Sequence, residues 1–499
     1  MPRRFERWHI VVAAGVTLVL AIAAIVVIAT RSVPARVVAS DDAVVVATED
    51  ERRTPDAVVV DVTLRAAPTA VRIGGRDADT WAFNDQVPGP ELRLDAGDVL
   101  RARVENRLPE PLTIHWHGID LRADMDGVPN LSQQPIAPGE DFTYEFVVPN
   151  AGTYFYHSHV GVQLDRGLYG PLIVDDPTED LAYDREYTVL LDDWLDGLAG
   201  TPDQALGRLQ SEGMSHGDMG GMHHGAGGTA DSPLGSDTGD VEYPYFLGNG
   251  RTPDDPEELA VTPGERVRLR MINAASDTAF RVALGGAELT VTHTDGRPVL
   301  PVETDAVLIG MGERYDALVT ITDPGVFALV ASAEGKDGQA VALLRSGAGE
   351  SPPPDVEPAE LAGRLLTLDD LEADPAVALD DSDPDRTYRV QLTGGMHAYE
   401  WGIDGGDVDG IPMPVREGER VRLILENDTM MWHPVHLHGQ PFQVQVASGD
   451  GPVKDTVNVA PFDQVTVDFV ADNPGAWMLH CHNVYHAETG MHTVISYVQ

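Results

Sequence analysis

Gly97-Asp98-Val99-Leu100-Arg101-Ala102-Arg103-Val104-Glu105-Asn106 returns as Gly264-Glu265-Arg266-Val267-Arg268-Leu269-Arg270-Met271-Ile272-Asn273, and again as Gly418-Glu419-Arg420-Val421-Arg422-Leu423-Ile424-Leu425-Glu426-Asn427. Each copy opens on a glycine and an acid, alternates apolar with polar residues and closes on asparagine, the pattern of a half-buried strand behind a turn. Three such copies in 499 residues predict three domains of one kind, roughly 150 residues each. Glycine (50) and proline (36) are abundant and long helical stretches are scarce, so the expected fold class is all-β.

Counting outward from the closing asparagine separates the copies. Nine and eleven residues later stand His115 and His117 in the first, His436 and His438 in the third, and Val282 and Leu284 in the middle one. A second landmark is the glycine of Asn150-Ala151-Gly152, Asp323-Pro324-Gly325 and Asn473-Pro474-Gly475. Five and seven residues beyond it come His157 and His159, then Val330 and Ser332, then His480 and His482. Four His-X-His pairs in register within a repeat are metal-ligand chemistry, and one cluster where the first and third domains meet accounts for them most simply. The middle copy reads as a metal-free spacer. The expected boundaries are residues 56–178, 179–350 and 351–499.

The segment His480-Cys481-His482-Asn483-Val484-Tyr485-His486-Ala487-Glu488-Thr489-Gly490-Met491 adds a second kind of site. Cys481 is the sole cysteine, which excludes an internal disulfide. Two histidines, a thiolate and a weak axial methionine describe a blue-copper electron-transfer site. On an extended segment, Cys481 faces one way and His480 and His482 the other, so one peptide joins two metal centres. His433, Cys481, His486 and Met491 correspond in the first copy to Leu112, Ser158, Gln163 and Leu168.

The net charge is −46, from 80 acidic and 34 basic side chains, which argues against nucleic acid or anionic lipid as a partner. Residues 10–29 are uncharged and long enough to span a bilayer, and Arg3, Arg4 and Arg7 precede them. The expected address is therefore the extracytoplasmic face of the cell membrane, with residues 1–30 as an N-terminal transmembrane anchor, or a secreted protein if the segment is a cleaved signal. Residues 31–55 read as a solvated linker. A glycine-rich loop within residues 211–228 carries Met214, His216, Met219, Met222, His223 and His224, a composition suited to transient copper binding.

With His115-Trp116-His117-Gly118, His157-Ser158-His159, His433-Pro434-Val435-His436-Leu437-His438-Gly439 and the terminal segment in this order, the chain resembles three-domain multicopper oxidases over about residues 57–499. Within that family it is similar to bacterial copper-tolerance oxidases, including mycobacterial ones, more than to fungal laccases. The resemblance implies three cupredoxin-like Greek-key β-sandwich or barrel domains and four copper ions. It implies a type 1 copper on His433, Cys481, His486 and axial Met491, a type 2 copper on His115 and His436, and type 3 coppers on His117, His157, His482 and on His159, His438, His480. It also implies that one-electron oxidation of a donor is coupled to reduction of O2 to water. Asp126 matches the family's acidic residue beside the cluster. The family's second carboxylate position is Ala487 here, with Glu488 next to it.

Three readings of the donor stay open. A cuprous oxidase for copper tolerance would draw on the Met/His loop, Met430, Met431 and Asp428, since thioethers suit Cu(I) and a carboxylate suits Cu(II). A laccase-like enzyme would take electrons from phenols or aromatic amines. A copper-sequestering protein would not turn over.

Overall fold

The computed structural model describes residues 36–212, 232–447 and 449–499. Within these residues three successive regions each form a pair of facing β-sheets, the third with a small ribbon of Asp407–Val408 and Ile411–Pro412 beside it. In the first, strands Arg76–Phe83, Val59–Ile73, Val99–Asn106 and Asp141–Val147 lie in that order, opposite Leu92–Asp95, Tyr169–Asp175, Gly152–Ser158 and Ile114–His117. Leu64, Ala66 and Val104 of one sheet pack against Trp116, Tyr154 and Leu172 of the other to make its core. The third domain sets a six-stranded sheet, running from Glu400–Asp404 to Gly449–Lys454, against a five-stranded one that contains Ala476–Cys481 beside His433–Leu437. The middle domain has the same six-plus-five arrangement.

The repeated strand does the same work three times. Its start pairs in parallel with the domain's opening strand, Val99 with Val59, Val267 with Arg185 and Val421 with Arg386. The closing asparagine is buried in every copy. Its Oδ1 accepts the N–H two residues on, from Leu108, Ala275 and Thr429, each at 2.9 Å. Its Nδ2 donates across to the carbonyls of Ile136 (2.8 Å), Ile309 (2.8 Å) and Val459 (3.1 Å). A buried amide needs such matched partners. In the outer domains the carbonyl it reaches belongs to a segment that pairs at the start of the histidine-bearing strand or just before it, Val459 with His433 and Ile136 with Leu112. The asparagine therefore fixes where the histidines nine and eleven residues later sit.

Residues 36–52 are not the solvated linker their charges suggest. Val37 bridges Val498 in an antiparallel pair, and Arg36 and Gln499 exchange backbone hydrogen bonds. Ala43–Arg52 is an α-helix whose inward face carries Val45 and Glu49. The Glu49 carboxylate accepts the N–H of Val147 at 2.7 Å, and Arg52 donates to the Asp120 carbonyl. The run Glu49-Asp50-Glu51-Arg52-Arg53 looks solvated as a string of charges, but on a helix only part of it faces water. This strap ties the third domain to the first.

Residues 351–385 run along the middle domain, with Ala306 bridging Leu365 and Val299 bridging Ala373, before the third domain's sheet begins at Arg386–Gly395. Among the described residues no helix is long and apolar enough to cross a membrane. The uncharged run of residues 10–29 lies outside the described residues, as do Met214, His216, Met219, Met222, His223 and His224.

Candidate metal centres

Cys481 ends strand Ala476–Cys481, and after His482 the chain turns into the short helix Val484–Glu488. Asn483 caps that helix, its side chain accepting the N–H groups of Tyr485 and His486. One turn of helix returns His486 to Cys481. Sγ of Cys481 lies 3.7 Å from His433 Nδ1 and 3.6 Å from His486 Nδ1, and the two imidazole nitrogens are 3.2 Å apart. Met491 is fully buried, and its carbonyl accepts the Cys481 N–H at 3.0 Å. The far nitrogens are held from behind, His433 Nε2 at 2.8 Å from Thr429 Oγ1 and His486 Nε2 at 2.9 Å from Asp240 Oδ2. Such outer contacts fix which ring nitrogen faces inward.

On the opposite face of the same strand, the four His-X-His pairs converge between the first and third domains. His115, His117 and His436 bring ligand atoms within 4.8 Å of one another, and so do His117, His157 and His482, and His159, His438 and His480. His115 and His438 also close on Asp126, which links these groups into one cluster.

The hydrogen bonds around the cluster test whether it fits metal. Nδ1 of His115, His157, His436 and His480 meets the backbone carbonyl of Asp126, Ser158, Asp455 and Cys481, respectively, at 2.8–2.9 Å. Nδ1 of His438 meets the Asp126 carboxylate at 3.0 Å. A carbonyl or carboxylate only accepts, so each Nδ1 carries the hydrogen and each Nε2 keeps its lone pair. His117 is reversed, since its Nε2 meets Asp455 Oδ1 at 3.2 Å and its Nδ1 is left over. Nε2 of His115, His157 and His436, Nδ1 of His117 and both nitrogens of His482 are buried without a protein partner. Buried polar atoms in such number are costly unless something binds them. Burial, with repulsion from neighbouring imidazoles, holds His157, His438, His480 and His482 well below the ordinary histidine range and His159 at about 3. They are neutral, inward-facing donors, the state in which histidine binds borderline metals. At His486, burial is outweighed by Asp240 and the Cys481 thiol, which hold it up to about 10, so a metal there displaces a proton.

The structure places the other expected residues unevenly. Asp126 is fully buried between His115 and His438. Glu488 is exposed at the far end of the helix that carries His486 and enters none of the histidine groups. Asp428 and Met430 are exposed, and Met431 is buried in the core.

Further residues that the sequence reading does not single out lie against these groups. Asp455 holds His117 through its carboxylate and His436 through its carbonyl. Burial would raise Asp455, but Arg314 outweighs it and keeps the carboxyl well below the usual range. Asp240 backs His486, and Asn483 caps its helix. Asp240 and Arg314 belong to the middle domain, and Asp277 of that domain accepts from Asn483 Nδ2 at 2.6 Å. The middle domain lacks the histidines, as expected, but it is not a spacer. It abuts both centres because Asp240 and Asp277 meet the helix of His486 and its cap, and Arg314 meets the bend at Asp455 between strands Gly449–Lys454 and Thr456–Val459.

Family models described as multicopper oxidase match residues 66–179, 185–349 and 381–498. The chain is 45% identical over 499 residues to multicopper oxidase MmcO of Mycobacterium tuberculosis, covering 99% of this chain and 97% of that one. It is 32% identical to a copper resistance protein A homolog of Pseudomonas syringae pv. tomato, over 86% of this chain and 90% of the other. Among solved structures, a mutant of the laccase from B. aclada superposes with a TM-score of 0.74 at 26% identity, over 89% of this chain and 88% of that one. Three matched domains, the cupredoxin-like fold and a donor set that fits copper agree, and the chain belongs to the multicopper oxidases, oxidoreductases that use O2 and bind four coppers.

Proposed function

We propose that this protein is a cuprous oxidase, taking electrons from Cu(I) outside the cell membrane and delivering them to O2, which is reduced to water. The observation that carries the oxidase reading is the convergence of unpartnered, buried ring nitrogens on one side of the His480–Cys481–His482 peptide, with the Cys481, His433 and His486 group on the other. Copper, when bound, supplies storage for the four electrons that O2 requires. In this reading His433, Cys481, His486 and Met491 hold the type 1 ion and His115 and His436 the type 2 ion. His117, His157 and His482 hold one type 3 ion, and His159, His438 and His480 the other. Asp126 orients His115 and His438 through its carbonyl and its carboxylate.

The choice of donor follows from access. His433, Cys481, His486 and Met491 are all fully buried. The Trp401 ring lies 4.2 Å from that of His486 and 5.2 Å from that of His433, and Asp240 caps His486 Nε2. A bulky phenol meets no imidazole edge here. Met430, 72% exposed, and Asp428 stand three and five residues before His433 and offer a soft and a hard ligand at the surface. The relatives named copper resistance protein A favour the same reading. The uncharged run behind Arg3, Arg4 and Arg7 supports the extracytoplasmic address.

Oxygen consumption by the full chain, with Cu(I) and with a bulky phenol as donors, tests this. Removal of residues 213–225 is expected to lower turnover of Cu(I) at limiting copper and to leave phenol oxidation unchanged or faster. Met430→Leu, which nearly conserves volume, should likewise weaken Cu(I) oxidation more than phenol oxidation. If both variants oxidise Cu(I) like the parent, a laccase-like function takes its place. No steady oxygen consumption with either donor would mean copper sequestration.

A further inference from the structure

Arg314 opens strand Arg314–Thr320 of the middle domain and is fully buried. Its Nη1 and Nη2 donate to the two carboxylate oxygens of Asp455, in the third domain, at 2.7 and 2.6 Å. Its Nε donates to the carbonyl of Thr153 in the first domain at 3.0 Å, and Nη1 also reaches the Gly312 carbonyl at 3.0 Å. Two parallel bonds from a planar fork fix the rotation of a carboxylate as well as its position. Thr456 Oγ1 adds a third donor to Asp455 Oδ1 at 2.9 Å. So held, Oδ1 faces His117 Nε2 at 3.2 Å.

The backbone is shaped around this contact. A Cβ on Gly118, the residue after His117, would lie 2.4 Å from Arg314 Nη2 and 2.7 Å from Asp455 Oδ2. One on Gly312, two residues before Arg314, would lie 2.9 Å from His482 Cδ2 and 3.0 Å from His117 Cε1. Both glycines have positive φ, +87° and +85°. Side chains are absent where they would push the guanidinium away from the carboxylate or the strand away from the imidazoles.

We propose that Arg314 is a positioning residue for the trinuclear copper cluster: by clamping Asp455 it makes His117 present Nδ1, where five of its neighbours present Nε2. A domain without copper ligands thereby selects the ligand atom used by another domain. Removing one bond of the fork leaves Asp455 free to rotate, and His117 free to turn its ring. This role for Arg314 rests on His117 being a copper ligand.

The test uses the copper-loaded full chain. Arg314→Lys keeps the charge and loses the fork. Asp455→Asn keeps the size and loses the ion pair. Arg297→Lys is the structural control, because Arg297 also joins the middle and first domains, through Asp120 at 2.7 Å, without touching a histidine. Copper content, the EPR hyperfine splitting of the copper outside the thiolate site, and the visible thiolate band are read for each. Arg314→Lys and Asp455→Asn are expected to alter the hyperfine splitting or lose at least one copper per chain, with the thiolate band unchanged, and Arg297→Lys to do neither. Unaltered EPR and copper content in both variants would overturn the proposal. So would a parallel decline of both kinds of signal, matched by Arg297→Lys. His117→Ala with full copper content and unaltered EPR would instead overturn the ligand reading itself.

Discussion

The first and third domains share a framework down to single hydrogen bonds, yet one of them brings a cysteine and two histidines together and the other does not. The Ser158 N–H donates to the Leu168 carbonyl at 2.8 Å, as Cys481 does to Met491 at 3.0 Å. His159 N–H reaches Thr113, as His482 reaches Pro434. Where Cys481 lies 3.6 Å from His486 Nδ1, Ser158 Oγ donates to Gln163 Oε1 at 2.8 Å, and buried Leu112 and Leu168 replace His433 and Met491. The backbone that builds the centre is therefore not what makes it a centre. Four side chains decide that, and in the first domain the same space is closed by two leucines and one neutral hydrogen bond.

The most severe way to test the comparison is to give the third domain the first domain's residue. Cys481→Ser should abolish the visible thiolate-to-copper band and all oxidase activity, while copper still binds at the histidine cluster. An intact blue colour would show that the thiolate is not what distinguishes the domains.

Asp126 crosses the comparison, being a first-domain carboxylate that grips His438 of the third. Asp126→Asn is expected to slow reoxidation by O2 about 10- to 100-fold, the usual cost of losing a ligand's outer partner, and to leave reduction by donor nearly unchanged. Stopped-flow anaerobic reduction followed by mixing with O2 separates the steps. Equal slowing of both, or of neither, counts against its role.

Met491→Leu copies Leu168 and is a smaller change. An axial thioether is a weak ligand that tunes potential, so the blue band should persist while the reduction potential shifts, and turnover should change by less than about tenfold. Loss of the blue band on this change would make methionine a structural ligand instead of a tuning one. Potentiometric titration of the band reads both outcomes.

The smallest expected effect concerns the strap that ties the two domains. Val45→Ala should cost about 1–2 kcal/mol, seen as a lower midpoint of thermal unfolding, with the spectra of both centres unchanged. A melting curve that does not move would return residues 36–52 to the status of a solvated linker.

Much of this architecture is legible in the amino-acid sequence. Repetition exposes the three domains because a half-buried strand has period two and its Gly-acid turn is local. The clustered histidines are legible because they sit at fixed distances from repeated landmarks. Asp455 is not, since it stands 19 residues past His436 and meets His117 only across a domain boundary. Asp240 follows a loop that reads as low-complexity sequence, and nothing local announces that it backs His486. The strap is hidden because a charged run has no address until its helical face is known. Met430 and Met431 read alike as thioethers beside His433, whereas the fold puts Met431 inside and leaves Met430 outside.

The lone thiol has one more consequence. Cys481 is the sole cysteine and is fully buried, so in metal-free protein a thiol reagent reacts only when that part of the third domain opens. Its labelling rate in excess reagent is then a clock for one local unfolding event, and, when closing outpaces labelling, that rate divided by the rate for a free thiol gives the opening equilibrium. The chain carries its own single-site probe of breathing, with no background from a second sulfhydryl.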